Sequence, residues 1–166
     1  MRARSICAAT LALALSIAAC GDDSTDTGEP AARGSVTARV LRIVDGDTIE
    51  VGLDGEEEDV RYIGIDTPET VAPGQPVECF GHAASRINTS LVEGEQVHLR
   101  FDRELRDQYG RLLAYVYVDG ELVNAALVRR GFARTLVFPP NTLHAGLFAR
   151  LQQQAADAGR GLWSRC

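Results

Sequence analysis

The sequence predicts an α+β domain, mainly a small closed barrel of five β-strands with about three α-helices. Three observations support this fold class. Five runs of β-branched and apolar residues are separated by turn-forming residues. A segment with helical spacing lies between the third and fourth runs. The length of 166 residues suits one domain and is too short for two full ones.

The strands are predicted from alternation and from the turns that bound them. They cover residues 36–44, 48–53, 60–65, 97–101 and 112–118. Asp54-Gly55 closes a hairpin after the second strand, and Asp119-Gly120 ends the fifth.

Three helices are predicted from apolar residues at helical spacing. The first carries Phe80, Ala83, Ala84, Ile87 and Leu91 and ends before Gly94. A short second helix, with Leu122, Val123, Ala126 and Leu127, ends at Gly131, and the third carries Leu143, Leu147, Leu151 and Ala155. Five strands with a helix between the third and fourth favour a barrel of the OB type.

The composition is that of a globular protein with an acidic balance. Hydrophobic residues make up 45% and charged residues 24%, which argues against general disorder. Acids outnumber bases 23 to 17, giving a net charge of −6. Taken alone, this charge argues against a nucleic-acid-binding protein, although it does not show where the charges lie. Every base is an arginine, so each cationic contact comes from a planar, always-charged guanidinium.

The densest charged run is Glu-Glu-Glu-Asp at residues 56–59. A run of this kind usually forms a solvated loop, so we expect it to lie away from a functional site. It does not interleave acids with turn-forming residues, as an EF-hand calcium loop would.

The first residues have the pattern of an export signal. Arg2 and Arg4 precede an apolar run that is too short to span a membrane, and Ile-Ala-Ala leads into Cys20. This resembles a bacterial lipoprotein signal over residues 1–19, in which the cysteine is lipidated and becomes the new N-terminus. The alternative is an ordinary signal peptide, cut nearby, and a secreted protein. Both predict export, the first with an anchor in the cell envelope.

Residues 20–35 are predicted to be a flexible acidic tether. No large apolar side chain occurs after Cys20, so the segment cannot bury enough surface to offset its chain entropy. The folded domain is therefore expected at residues 36–166.

Two cysteines remain in the predicted domain, Cys79 and Cys166. An even pair in an oxidising compartment predicts one disulfide, joining the start of the first helix to residue 166. The alternative is two free thiols.

Three short segments concentrate the polar residues suited to chemistry. They are Val-Asp-Gly-Asp-Thr at 44–48, Arg-Tyr-Ile-Gly-Ile-Asp-Thr-Pro-Glu-Thr at 61–70 and Asp-Gln-Tyr-Gly-Arg at 107–111. Alternation along the third strand predicts Arg61, Ile63 and Ile65 on one inward face, where an arginine needs an anion. Asp66 ends that strand and Glu69 follows it. Two carboxylates and an arginine at one end suit a hard cation and a phosphate.

In this order and spacing, the three segments resemble the staphylococcal nuclease family. The resemblance continues through Leu-Ala-Tyr-Val-Tyr-Val-Asp-Gly at 113–120 and Gly-Leu-Trp-Ser at 161–164, and covers essentially all of 36–166. It implies an OB barrel that cuts single-stranded or frayed DNA and RNA with Ca²⁺, leaving 3′-phosphates. It also implies a monomer without an obligate protein partner.

The resemblance implies a role for each matching residue. Asp47 and Asp66 would bind Ca²⁺ through their carboxylates, and Thr67 through its main-chain carbonyl. Glu69 would be the general base, and Arg61 and Arg111 would clamp the phosphate. Asp107 and Tyr109 would either cap their loop or touch the substrate.

Two departures from the best-known member of the family bear on substrate binding. Gln108 replaces a lysine, and Leu136 and Phe138 lie where that member carries two tyrosines. Phe138 can still stack on a base, whereas Leu136 cannot.

Two other function classes remain open from the sequence. A non-catalytic OB module could bind single strands without cutting them. An exported envelope scaffold would rest on the tether alone. The complete set of Asp47, Arg61, Asp66, Glu69 and Arg111 favours the nuclease over both, because a pure binder has no need of Glu69 beside two metal carboxylates.

Overall fold

The computed structural model describes residues 34–70 and 76–166. The predicted signal at 1–19, Cys20 and nearly all of the predicted tether lie outside the described residues. Within them, no helix combines the length and the apolar character needed to cross a membrane.

The strands and helices follow the predicted order with several short additions. The strands are β1 (Ser35–Ile43), β2 (Thr48–Leu53), β3 (Glu56–Tyr62), β4 (Ile65–Asp66), β5 (Gln96–Arg100), β6 (Leu112–Val118), β7 (Glu121–Leu122) and β8 (Arg134–Thr135). The helices are α1 (Gly81–Val92), α2 (Val123–Arg129), α3 (Ala145–Asp157) and α4 (Leu162–Arg165).

Five of these strands close into the predicted barrel. Their order is β3-β2-β1-β5-β6, with antiparallel neighbours, and β3 pairs with β6 in parallel to complete the ring. Closure removes the exposed strand edges of an open sheet. The fold class predicted from the sequence, a five-stranded OB-type barrel with helices, is therefore confirmed.

The core fills the barrel and the space between it and the helices. Inward-facing residues of each strand are almost completely buried, among them Ile49, Val51, Val60, Leu99 and Val116. Phe148 of α3 packs into the same core. This packing holds the strand ends in fixed positions, which the site requires.

The bounds predicted for the third strand, residues 60–65, were wrong at both ends. Pairing begins at Glu56 rather than Val60, because Asp54 and Gly55 take left-handed φ angles of 53° and 90° and close a tight hairpin. The acidic run at 56–59 is therefore strand, not loop; its backbone pairs with β2.

The strand also ends early, at Tyr62. Gly64, at φ 79°, turns the chain before the separate strand β4. Consequently Arg61, Ile63 and Ile65 do not share one strand face. Val60 and Tyr62 point into the core, and Arg61 lies on the opposite, outer face of β3.

The structure contains the predicted disulfide between Cys79 and Cys166. It joins the chain just before α1 to the residue after α4. The sequence did not predict α4, a single turn whose anchor is the buried Leu162.

Candidate active site

The turn between β1 and β2 carries the most deeply buried acid of the site. The Asp47 amide donates to the Asp45 side chain at 3.0 Å, so Asp45 stabilises the turn. A Cβ on Gly46 would lie 2.6 Å from the Thr67 hydroxyl oxygen, which means that only glycine lets Thr67 pack here. The Thr67 amide donates to Asp47 Oδ2 at 2.7 Å. A main-chain amide of the second motif segment thus binds a side chain of the first.

Arg61 joins the same two segments through its guanidinium. Its Nη1 lies 3.0 Å from Asp47 Oδ2, and its Nη2 donates to Asp66 Oδ1 at 2.9 Å. Nη1 also donates to the Ile65 carbonyl at 2.9 Å. The pairing of Thr48 with Arg61 in the β2–β3 ladder brings the arginine beside the Asp47 turn. One planar group therefore orients two carboxylates, which an ammonium could not do in this geometry.

The carboxylates of the site outnumber its cations. Asp47 is 3% exposed, and burial raises the pKa of its carboxyl to about 7 against the opposing attraction of Arg61. Burial also raises the pKa of Asp66; Arg61 opposes that shift, and Glu78, Asp45 and Glu69 reinforce it. The excess of negative charge around Asp47 and Asp66 favours a bound cation.

Glu69 lies in the loop that follows β4, close enough to influence Asp66 electrostatically. Its Oε1 accepts the Thr70 amide at 2.7 Å, which turns the carboxylate back along its own loop. Glu78, from the segment before α1, contacts the Glu69 main chain. The loop is therefore held from two sides.

Two buried asparagines stabilise the backbone of the site through hydrogen bonds. The sequence did not predict either of them as a site residue. Asn88 of α1 donates to the Asp45 carbonyl at 3.0 Å and accepts the Tyr62 hydroxyl at 2.9 Å. Asn124 of α2 donates to the Ile63 carbonyl at 2.9 Å, next to the turn that ends β3. Asn88 lies four residues after Ala84, on the apolar face of a predicted helix. A polar side chain at such a position needs a hydrogen-bond partner, and this could have identified it from the sequence.

A cleft of about 430 Å³ opens beside the carboxylates and contains both predicted arginines. Arg61 and Arg111 both line it, together with Leu113, which pairs with Arg61 across β3 and β6. Two guanidinium groups facing one cleft can bind the oxygens of a phosphate. The acids Asp47, Asp66 and Glu69 do not line the cleft itself, so Arg61 connects it to them.

The loop before β6 orients Arg111. Asp107 Oδ2 accepts from both Nε and Nη2 of Arg111 at 2.7 Å, and Oδ1 accepts the Tyr109 and Arg111 amides. Of the two roles that the sequence left open for Asp107, loop capping fits these contacts. Asp107 thus positions Arg111.

The rim of the cleft carries exposed aromatic side chains. Tyr109 is 75% exposed, with the Arg111 guanidinium 5.4 Å from its ring centre, and Phe138 is 68% exposed. Leu136 and Gln108 also line the cleft. Such rings offer flat faces to a planar ligand.

The donors around Asp47 fit a calcium ion better than a softer metal. Asp47, Asp66 and the Thr67 carbonyl offer hard oxygens, the ligands that Ca²⁺ prefers. Across residues 34–70 and 76–166, no three His, Cys, Asp or Glu side chains form a metal-binding group. A bound ion would therefore complete its shell with the carbonyl and water. Two of the histidines serve elsewhere, His98 beside Thr37 and His144 beside Tyr117.

Comparison with known proteins agrees with the motifs. The sequence model of the family described as staphylococcal nuclease homologue matches residues 59–165. The chain is 43% identical over 126 residues to a thermonuclease of Staphylococcus intermedius, covering 76% of this chain and 75% of that protein. It is 39% identical over 128 residues to a thermonuclease of Staphylococcus hyicus, covering 77% and 76%.

A third relative comes from another genus. The chain is 42% identical over 132 residues to the Bacillus subtilis endonuclease YncB, covering 78% of this chain and 63% of that protein. The family match over residues 59–165 includes the second and third motif segments and helices α1 to α4. The chain belongs to the staphylococcal nuclease family.

Proposed function

We propose that the protein is a calcium-dependent phosphodiesterase that hydrolyses single-stranded or frayed DNA and RNA. Its relatives are named thermonuclease and endonuclease, which supports a nuclease in general. The observation that carries the finer proposal is the position of Arg61. Its guanidinium contacts Asp47 and Asp66 and also lines the cleft that contains Arg111.

Asp47, Asp66 and the Thr67 carbonyl would hold the ion. Bound Ca²⁺ would supply Lewis-acid polarisation of a phosphoryl oxygen. The support for this assignment is an oxygen-only donor set, with Asp47 and Thr67 buried and Asp66 half-exposed, and the excess of carboxylates over cations around it.

Glu69 would take the proton from the water that attacks phosphorus. A positioned base of this kind contributes roughly 10²–10⁴-fold to the rate. As the P–O5′ bond breaks, the 5′-oxygen leaves and takes a proton from water, so the products carry a 3′-phosphate and a 5′-hydroxyl. Arg61 and Arg111 would stabilise the negative charge that grows on the phosphoryl oxygens.

The exposed aromatic rim supports single-stranded substrates. Tyr109 and Phe138 can stack only on bases that are not already paired and stacked in a duplex. The net charge of −6 argues against a strong nonspecific grip on phosphates. With two arginine contacts, we expect KM to rise only gently with salt, with a slope near +1.4 in a plot of log KM against log salt concentration (about 0.7 per contact).

The alternative is a non-catalytic single-strand-binding module on the same barrel. The aromatic rim alone would serve binding, but Glu69 and the two buried or half-buried aspartates would then have no chemical use. Incubation of the purified protein with denatured DNA in calcium or EGTA distinguishes the two. Cleavage that requires calcium supports the enzyme, and binding without cleavage in both conditions supports the module.

A matched pair of variants tests the assignment of the base. Glu69→Gln should lower kcat by roughly 10²-fold or more, because the amide cannot accept a proton. Glu93→Gln, at the other end of α1, removes the same charge from an exposed position and should leave kcat unchanged. Full activity in Glu69→Gln would exclude it as the base.

We further propose that the protein is exported and anchored by lipid on Cys20. The Cys79–Cys166 disulfide supports an oxidising compartment. Expression in a bacterium with metabolic labelling by a fatty acid should label the native chain and not Cys20→Ser. Release of unlabelled native protein into the medium would favour the ordinary signal peptide.

A further inference from the structure

The main chain of Glu69 is held by a residue nine positions later. The Glu78 amide donates to the Glu69 carbonyl at 2.9 Å, and the Glu69 amide donates to Glu78 Oε2 at 3.2 Å. Both polar groups of the Glu69 backbone are therefore satisfied by one residue. The pair fixes where the loop sets the Glu69 carboxylate.

The segment that carries Glu78 lies tightly against the Glu69 loop. A Cβ on Gly81 would lie 2.8 Å from the Glu69 carbonyl oxygen and 3.2 Å from the Pro68 carbonyl oxygen. The first residue of α1 thus packs directly on the loop backbone. Small displacements of residues 78–81 would therefore be transmitted to Glu69.

The disulfide fastens this segment to the C-terminal part of the fold. Cys79, next to Glu78, is bonded to Cys166. Cys166 donates its amide to the Leu162 carbonyl, and the Leu162 amide donates to Gly131 after α2. Phe80 stacks on Phe132 with ring centres 5.3 Å apart. Residues 79 and 80 are thereby tied to α2 and α4.

We propose that Glu78, held in place by the Cys79–Cys166 disulfide, is a positioning residue for Glu69. The inference rests on the proposed function of Glu69 as the general base. Glu78 is exposed, and its hydrogen bonds to Glu69 are all made with the loop backbone. Its loss should therefore lower kcat and leave KM almost unchanged.

Variants at Glu78 separate a hydrogen bond from a charge. Glu78→Ala removes the acceptor and should lower kcat about tenfold, since small misplacements of a reacting group reduce the rate. Glu78→Gln keeps an oxygen acceptor and should restore most of kcat. Glu93→Gln is the control for loss of an exposed charge. Wild-type kcat in Glu78→Ala, or equal losses in the alanine and glutamine variants, would overturn the proposal.

Reduction of the disulfide tests the second half of the proposal. A dithiol such as dithiothreitol transfers two electrons and two protons to the bridge, leaving two cysteine thiols and the oxidised, cyclic reductant. At a temperature where circular dichroism shows both forms folded, reduction should lower kcat of the native protein several-fold with KM unchanged. The double variant Cys79→Ser/Cys166→Ser should behave as the reduced protein does, with or without reductant.

The coupling between the two features distinguishes positioning from general stabilisation. If the disulfide acts through Glu78, reduction of the Glu78→Ala variant should cause no further loss of kcat. Independent, multiplicative losses would mean that the disulfide acts by another route and would overturn this part of the proposal.

Hydrogen exchange provides a readout that does not depend on activity. The Glu69 amide should exchange faster in Glu78→Ala and after reduction, while amides of β2 keep their protection. Faster exchange in a protein that cleaves nothing would retain the positioning contact and refute the proposed function. Unchanged exchange together with unchanged kcat would refute the positioning role alone.

Discussion

The two sides of the candidate active site differ in how they are built. The contacts of the buried Asp47 are hydrogen bonds and an ion pair, and Arg61 orients both Asp47 and the half-exposed Asp66. At the cleft rim, Tyr109 and Phe138 stand mostly in solvent. The buried side therefore determines geometry, and the exposed side offers adaptable surface. Substitutions on the buried side should therefore change stability and activity together, whereas substitutions on the exposed side should change activity alone.

The largest expected effect comes from replacing each arginine by lysine. Arg61→Lys and Arg111→Lys should both lower kcat by about 10²–10³-fold, because an ammonium cannot present a bidentate fork. Only Arg61→Lys should also destabilise the fold, by about 1–3 kcal/mol, since Asp47 and the Ile65 carbonyl lose partners. For Arg111→Lys, which lies in a loop contact, a change within about 1 kcal/mol is expected.

Urea denaturation of both variants measures the free energy of unfolding, and steady-state kinetics measures kcat. A large stability loss in Arg111→Lys, or none in Arg61→Lys, would contradict the difference between the two sides.

The next prediction concerns the close approach behind Asp47. Gly46→Ala should lower stability by about 1–3 kcal/mol and weaken calcium-dependent activity, because a Cβ would overlap the Thr67 side chain. Gly52→Ala is the matched control, since its Cβ would meet Leu41 at an ordinary 3.7 Å and its φ is not in the left-handed region. Its stability should change by less than about 0.5 kcal/mol. Equal thermal midpoints for the two variants would disprove the packing constraint.

On the exposed side, removal of a ring should affect binding alone. Tyr109→Ala and Phe138→Ala should each raise KM by roughly 5- to 150-fold, corresponding to about 1–3 kcal/mol for one stacked base. Their kcat and thermal midpoint should stay close to wild type. Leu41→Ala, an exposed apolar residue of β1, controls for general surface effects. A loss of kcat without a change in KM would assign the rings a different role.

The smallest effect is a gain. Leu136→Tyr would add a third exposed aromatic side chain at the cleft and should lower KM for single-stranded DNA about threefold, less than a well-formed stacking contact provides. The variant should not change calcium dependence. Titration of oligonucleotide binding by fluorescence anisotropy would measure the gain, and weaker binding would show that Leu136 lies outside the path of the bases.

Much of the fold and the composition of the site could be predicted from the sequence. The turn residues Asp54-Gly55 and Asp119-Gly120 and the helical stripe from Phe80 to Leu91 are local signals, and the elements formed where they indicated. The three motif segments also predicted site residues that the structure brings together. Direct contacts or the shared cleft connect Asp47, Arg61, Asp66, Thr67 and Arg111. Local propensity and motif spacing are properties of neighbouring residues, so one sequence is enough to reveal them.

Other features depend on contacts between distant residues. The end of β3 at Tyr62, which separates Ile63 and Ile65 from the strand that carries Arg61, follows from the Gly64 turn packing against Phe148 of α3. Alternation within one strand could not reveal it. In the same way, Asn88 and Glu78 acquire their roles only when α1 docks against the turn at Asp45 and the loop at Glu69. Polar side chains have many local alternatives, and the packing of distant elements selects the partner.

The sequence by itself determined the barrel, the identity of the charged residues and the pair of cysteines. Tertiary structure decided how they work together: one guanidinium shared by Asp47 and Asp66, a cleft that joins Arg61 to Arg111, and a disulfide placed beside the loop of Glu69. The physical reason is that residue type sets the available charge and hydrogen-bonding groups. Only the closed barrel and its docked helices set the distances and the burial on which their interaction energies depend.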